Sequence, residues 1–387
     1  MSNEVRIGVI GCGGMGSNHM AYFDKVPRLK FTAAADVEPK QVQNAVDKYG
    51  VKGFDDGEAL MDSGLVDAVL IATPHYFHPP LSIAAFTRGI HVLTEKPVSV
   101  TAKAAQEAIE MHRKHGKDLQ FAAMFQMRAI PVWNRVRQLI KDGELGEIRR
   151  TNWIVTNWLR SQRYYDSGGW RATWAGEGGG VLMNQCPHNL DLYQWLCGMP
   201  SKVHAHLGLG KYHHIEVEDD VTAVLHYPNG ATGVFITTTG EAPGTNRLEI
   251  VGDHGKVVCD GSAKIEFTRT LHPVQEFSDS TPNSFPHIKC DKIIIEVDNA
   301  NNGHRDITTN FVEAILDGTP LIAPAADGLH GVELANAMIM AGITGQAVDV
   351  PMDREAYDRF LKDLIKNSTF KKKQAKEAKA DMTASFR

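Results

Sequence analysis

No stretch of this sequence is apolar for long enough to cross a bilayer. Its most hydrophobic runs, Val5 to Ile10 and Ala68 to Ala72, have the length of strands. Met1 to Arg6 lacks the basic start and apolar core of a secretory signal, so a cytoplasmic chain is expected. Basic residues are not in excess either. The 41 Lys and Arg are set against 46 Asp and Glu, a net charge of −5, which gives no electrostatic reason to bind nucleic acid or an anionic membrane. Cysteine is scarce: five residues (Cys12, Cys186, Cys197, Cys259, Cys290) without metal-ligand spacing, an odd number that favours free thiols in a reducing compartment. Nothing beside Cys186 marks an activated thiolate, so a small packing residue is the simpler reading there. What remains is a chain of 387 residues, 43% hydrophobic and 22% charged, the balance of a globular protein with room for two domains.

The first third alternates strand and helix patterns. Strands are expected at Val5 to Ile10, Phe31 to Ala35, Lys52 to Phe54, Asp67 to Ala72, His91 to Thr94 and Gln120 to Met124, with helices between them. Such alternation predicts βαβ crossovers in a doubly wound, mostly parallel sheet. After a helix at Pro131 to Lys141 the pattern turns β-rich, with strands at Ile148 to Trp158, Val203 to Leu209, Val221 to Tyr227, Thr232 to Thr239 and Arg247 to Val251. Asn229-Gly230 marks a hairpin turn. Helices return at Asp306 to Leu316 and Leu329 to Gly345, so the fold class is α/β, with a second domain built on a large, mainly antiparallel sheet. The domains are drawn at 1–125, 126–366 and a basic tail at 367–387. Lys371, Lys372, Lys373, Lys376 and Lys379 in that tail read as a solvated terminus rather than a nucleic-acid arm.

Gly11-Cys12-Gly13-Gly14-Met15-Gly16 matches G-x-G-x-x-G, directly after one predicted strand and opening a predicted helix. Gly11 permits the tight turn, Gly13 close approach of a pyrophosphate, and Gly16 close helix–strand packing; the helix start at Gly14 and Met15 directs N–H groups to phosphates. Asp36 ends the next strand 20 residues past Gly16, where a carboxylate accepts from ribose hydroxyls and repels a 2′-phosphate. The cofactor is therefore expected to be NAD rather than NADP. Thr73, Pro74, His75 and His78 close the fourth strand, and Glu95-Lys96-Pro97 the fifth, at the carboxyl edge where open α/β sheets bind ligands. His75 and His78 have no third ligand in view and read as loop residues beside the cofactor, not a metal site.

These motifs, followed by Gly178-Gly179-Gly180, Asn184, His188 and Asp191, resemble the Gfo/Idh/MocA oxidoreductases (the glucose–fructose oxidoreductase and inositol dehydrogenase type), and the likeness runs to about Asn367. The resemblance implies a Rossmann domain, then an α/β domain whose open sheet joins subunits into a homo-oligomer, a dimer or tetramer. It implies reversible oxidation of a secondary alcohol on a sugar or cyclitol. It also places a substrate-site lysine, often before a cis-proline, at Lys96, and a histidine at His188. Position 184, often aspartate in the family, is asparagine here.

Oxidising an alcohol needs a proton acceptor at the hydroxyl, and the ordinary pKa of histidine suits His188 to that task. Lys96 polarises the hydroxyl, while Asn184, unable to take a proton, positions the ring; whether Lys96 or His188 accepts the proton is open at this point. Gln126 is expected against nicotinamide or substrate. Arg128, Trp170, Arg171 and His304 are candidate substrate contacts, with core packing an equal alternative for Trp170. His213-His214-x-Glu216-x-Glu218-Asp219-Asp220 superficially resembles a metal site, but alternation along a β segment would divide these side chains between two faces. The leading expectation is an NAD-dependent dehydrogenase of a sugar, glycoside or inositol, with pyranose C3 as the inclined position. A glycosidase that oxidises C3 transiently, and a non-catalytic NAD sensor, are the alternatives.

Overall fold

The computed structural model describes residues 3–372. Its first sheet holds six strands, β1 (Val5–Ile10), β2 (Leu29–Ala35), β3 (Lys52–Phe54), β4 (Ala68–Ile71), β5 (His91–Thr94) and β6 (Phe121–Ala123), in the order β3-β2-β1-β4-β5-β6. Every pairing in it is parallel. Parallel strands with helices on both faces are buried on both sides, hence the unbroken apolar run of β4, Ala68 to Ile71, all of it buried. The order reverses between β1 and β4, and that switch point opens the crevice where β1, β4, β5 and β6 deliver their following loops.

The second sheet has nine strands: β7 (Ile148–Val155), β8 (Lys202–Leu209), β9 (Glu218–His226), β10 (Thr232–Thr238), β11 (Asn246–Gly252), β12 (Gly255–Cys259), β13 (Lys264–Thr270), β14 (Cys290–Glu296) and β15 (Val348–Asp349). It is antiparallel except where β10 pairs with β7. The hairpin from β9 to β10 turns through Asn229 and Gly230, the latter at φ +85. Period-two alternation gives the sheet its two faces. One row of neighbours runs Ala223, Phe235, Trp153, Leu248, Cys259, Ile265 and is buried. The adjacent row, Val224, Val234, Asn152, Glu249, Val258, Glu266, Ile294, lies on the opposite face and leaves Val224 and Ile294 exposed. Helices Pro187–Cys197 and Gly328–Thr344 cover the buried face through Leu190, Tyr193, Leu334 and Met338.

The chain returns to the first core after leaving it. Ile307, Phe311 and Val312 of helix His304–Asp317 pack there, and Ala123 N–H donates to the Ala323 carbonyl at 3.0 Å. Asn336 joins the two cores, its amide bonded to Ala102 N–H at 2.9 Å and to the Val100 carbonyl at 3.0 Å. The start of the tail is not simply solvated: Lys372 Nζ donates to the Gly168 and Arg171 carbonyls at 2.5 and 2.6 Å. Lys373, Lys376 and Lys379 lie outside the described residues. Among the described residues no helix is long and apolar enough to cross a membrane.

Candidate active site

The glycine turn is as tight as its spacing requires. Gly11 adopts φ +95, and a Cβ there would stand 2.6 Å from the Ala72 carbonyl oxygen. A Cβ on Gly16 would lie 1.8 Å from the Gly11 oxygen, whereas one on Gly13 would meet nothing within 4 Å, so the backbone is open at Gly13. Asp36 braces the turn, accepting from Cys12 N–H at 2.6 Å and Glu38 N–H at 2.9 Å. Burial, and then the Asp36 charge, push the Cys12 thiol up to about 12, which leaves it unreactive.

Behind the crevice Glu95 is bonded to His19 Nε2 at 2.7 Å. Burial pushes this carboxyl upward, but the hydrogen bond and charge of His19 outweigh it and hold Glu95 well below the usual carboxylate range. His19 in turn meets Tyr22 Oη at 2.5 Å and the ring of His304 at 5.4 Å. His304, lowered to about 4 by burial and then His19, thus backs Glu95 from the start of its helix. His78 is a tie between loops: its ring nitrogens face the Pro97 carbonyl at 2.7 Å and the Thr73 carbonyl at 2.8 Å. Expected beside the cofactor, His78 has both ring nitrogens engaged with these loops. It holds the cis Lys96–Pro97 peptide against the loop after β4. His75 is buried, with Trp170 at 5.6 Å and the Glu177 carbonyl at 3.4 Å.

Lys96, His188 and Asn184 are brought together. Lys96 Nζ donates to the Asn184 backbone carbonyl at 3.0 Å. Burial lowers the Lys96 pKa from its ordinary value against the opposing charges of Glu95 and Glu177. His188 is buried, its Nε2 3.2 Å from Gln126 Nε2, and burial followed by the Lys96 charge holds it well below 6.5. A neutral imidazole in this place can take a proton. The Gln126 amide nitrogen faces His188 Nε2 and donates to it, so the neutral ring carries its hydrogen on Nδ1. His188 Nδ1, Gln126 Oε1, Gln185 Oε1 and Thr73 Oγ1 are buried polar atoms with no protein partner. A dinucleotide and a polyol would supply what these atoms lack, and the open side of Gly13 leaves room for the pyrophosphate; the residues fit NAD.

Asn184 has a shell that sequence reasoning missed. Its Oδ1 accepts from Tyr164 Oη at 3.0 Å and Gln185 Nε2 at 3.2 Å, while Nδ2 donates to Glu177 Oε1. Arg171 reaches Tyr164 Oη at 2.7 Å and lies 4.8 Å over the Trp170 ring. Glu177 directly precedes the triple glycine, but no periodicity marks it; Tyr164 rides on a five-residue helix, Gln162–Asp166, too short to show a period. Arg128, expected among the substrate contacts, lies in a buried ion pair. Its guanidinium is 1% exposed and grips Asp191 through Nε at 2.8 Å and Nη2 at 2.6 Å, with Asp327 at 2.6 Å. Cys186 is buried against Thr237 Oγ1 at 3.1 Å, and burial pushes its thiol up to about 12, as suits a packing residue. The cluster near His213 is divided between a loop, His213 to Glu216, and the start of β9 at Glu218: Asp219 accepts from the N–H groups of Lys211, Tyr212 and His213 and from the His213 ring. Among the described residues no group of three or more His, Cys, Asp and Glu is arranged to hold a metal ion.

Two family models match this chain: the oxidoreductase family with an NAD-binding Rossmann fold over residues 5–123, and the GFO/IDH/MocA C-terminal domain over residues 133–258. The chain belongs to the Gfo/Idh/MocA oxidoreductases. It is 30% identical to the D-glucoside 3-dehydrogenase of Escherichia coli across 53% of this chain and 58% of that protein. To an inositol 2-dehydrogenase of Corynebacterium glutamicum it is 29% identical across 51% of this chain and 56% of the relative. These two alignments therefore span little more than half of each curated relative. The WlbA dehydrogenase of Chromobacterium violaceum, solved in complex with NADH and UDP-GlcNAcA, is 26% identical with a TM-score of 0.78, covering 91% of this chain and 97% of that one. As a Gfo/Idh/MocA member the chain is an oxidoreductase with an NAD-binding Rossmann domain, formed here by the six-stranded sheet and its glycine turn.

Proposed function

We propose that this enzyme oxidises a ring secondary alcohol of a sugar, glycoside or inositol, at C3 of a pyranose. The observation that carries the reading is the convergence of Lys96, His188 and Asn184 at the crevice edge, beside buried polar atoms that a polyol would satisfy. The likeness to a D-glucoside 3-dehydrogenase supports the C3 position. Gly11 to Gly16, Asp36, Thr73, Pro74 and Gln126 hold the dinucleotide, which when bound supplies the hydride acceptor. Lys96 donates to the substrate oxygen and favours developing alkoxide character. His188 accepts the hydroxyl proton on its imidazole, with the Gln126 amide against Nε2. Asn184 and Arg171 hold neighbouring hydroxyls, and Trp170 offers a ring face. Subunits pair through the exposed face of the nine-stranded sheet, where Val224 and Ile294 are open.

The test is a panel of sugars, glycosides and inositols assayed for NADH formation, with the oxidised carbon read by NMR. A 3-keto product supports the reading and another carbon overturns the C3 assignment. Release of aglycone from an aryl glycoside without NADH would instead identify a glycosidase working by transient oxidation. NAD binding without turnover of any panel member would leave the sensor.

A further inference from the structure

We propose that Glu177 is a positioning residue of the reaction centre, whose carboxylate fixes the Asn184 amide and sets the charge beside Lys96. The inference rests on the dehydrogenase reading above. Glu177 is 1% exposed, and a carboxylate removed from water persists only with partners. Its partners are specific. Oε2 accepts from Ala172 N–H at 2.6 Å, Oε1 from Asn184 Nδ2, and Arg171 Nη1 stands 3.8 Å away. Ala172, a non-glycine residue at φ +55, holds the left-handed conformation that aims its N–H at Glu177.

The amide of Asn184 cannot turn over in this setting. Its oxygen already faces two donors, Tyr164 Oη and Gln185 Nε2, and only its nitrogen has a carboxylate to meet. The contacts close a ring from Arg171 to Tyr164, Asn184, Glu177 and back to Arg171. That ring contains a single anion, Glu177. The other carboxylate beside Lys96, Glu95, is engaged with His19 on the far side. Lys96 therefore binds the Asn184 backbone while the Asn184 side chain binds the carboxylate. A residue that merely tied down the loop 167–177 would need its hydrogen bonds but not its charge. The two roles are separable because the pair can be exchanged. In Glu177→Gln with Asn184→Asp, the new amide still accepts from Ala172 N–H and donates to position 184, and the new carboxylate still accepts from Tyr164 and Gln185.

The experiment compares wild type, Glu177→Gln and the double exchange on a substrate the wild type oxidises, with NAD affinity and melting temperature measured for each. Glu177→Gln is expected to lose roughly 10- to 100-fold in kcat with NAD affinity unchanged, the size of a misplaced reacting group. The double exchange is expected to recover most of that loss. A double exchange that melts and binds NAD like wild type yet turns over no better than Glu177→Gln overturns the proposal, as does unchanged turnover in the single variant. If wild type oxidises nothing on the panel, the dehydrogenase reading falls, and a second measurement still decides this one. Trace acetylation of Lys96, followed by mass spectrometry across pH, reports its charge in the free protein. Glu95, Glu177, Arg160, Arg171, His75, His188 and His304 all act on Lys96. Of these only Glu177 is altered, so the acetylation midpoint should move to lower pH in Glu177→Gln and return in the double exchange. A midpoint that stays in place overturns the proposal.

Discussion

Replacing Arg128 with methionine should destabilise the protein without touching the substrate. The wild-type guanidinium holds Asp191 in a two-pronged pair, 2.8 Å from Nε and 2.6 Å from Nη2, with both side chains 1% exposed. At 2.6 Å and an effective dielectric of about 20, the attraction is about 6 kcal/mol, and desolvation of both ions takes back most of it. Removing one partner leaves the buried Asp191 without a counter-charge and with only a long bond from Gln194 at 3.4 Å, a loss of about 3–5 kcal/mol. Asp327, 41% exposed, loses little when its bond to Nη1 goes. At about 2.1 cal/mol/K of unfolding entropy per residue over 387 residues, the melting temperature should fall by about 4–6 °C. The cost should also depend on pH. Burial raises the Asp191 pKa above its unfolded value even with Arg128 present, and more so without it. The fold then binds more protons than the unfolded chain, so stability falls as pH rises and the deficit is larger at pH 8 than at pH 5. Thermal melts at the two pH values, with kcat and KM beside them, make the assay. Adding Asp191→Leu to Arg128→Met should restore much of the stability, because an apolar pair carries no stranded charge. An unchanged melting temperature with a raised sugar KM would refute the argument and return Arg128 to the substrate site.

Three further outcomes are expected. His188→Ala should lose about 10²–10⁴ in turnover while NAD titrations stay unchanged, and unaltered turnover removes His188 from the mechanism. The pH profile of kcat/KM for alcohol oxidation should be a bell. His188, held below 6.5 by burial and Lys96, must be neutral to act, so the acid limb lies under pH 6.5; Lys96, lowered from 10.5, must be charged, so the alkaline limb lies under pH 10.5. A profile that rises without an alkaline limb would show that Lys96 itself takes the proton. Asp36→Ala should weaken NAD by about 10- to 100-fold, since it removes a charged acceptor, and should erode the preference over NADP in paired titrations. A wild type that already favours NADP would sink that assignment.

Much of the first sheet was legible because its signals are local. An apolar run, a turn of glycines and a helix start are contiguous in Val5 to Met20, and helix Pro131–Lys141 runs over the expected residues. Strands β12, β13 and β14 escaped notice although Lys264–Thr270 alternates cleanly; sequence alone offers no partner strand to distinguish such a segment from a loop. The second domain was expected as one stretch, yet residues of helix His304–Asp317 pack into the first core, an outcome that depends on which surface a returning helix meets.

The amino-acid sequence by itself determined the glycine turn, the acid that ends the second strand, and the lysine and histidine of the crevice. Each follows from residue type and short spacing, where backbone geometry leaves few choices. Only the tertiary structure decided which polar groups pair. Arg128 meets Asp191 across 63 residues, His78 turns both nitrogens to carbonyls of neighbouring loops, and Glu177 closes on Asn184 once the loop before the glycines has folded back. Buried charges take the partners that lie within about 3 Å after the chain has packed, and that distance is a property of the packed fold rather than of spacing along the chain.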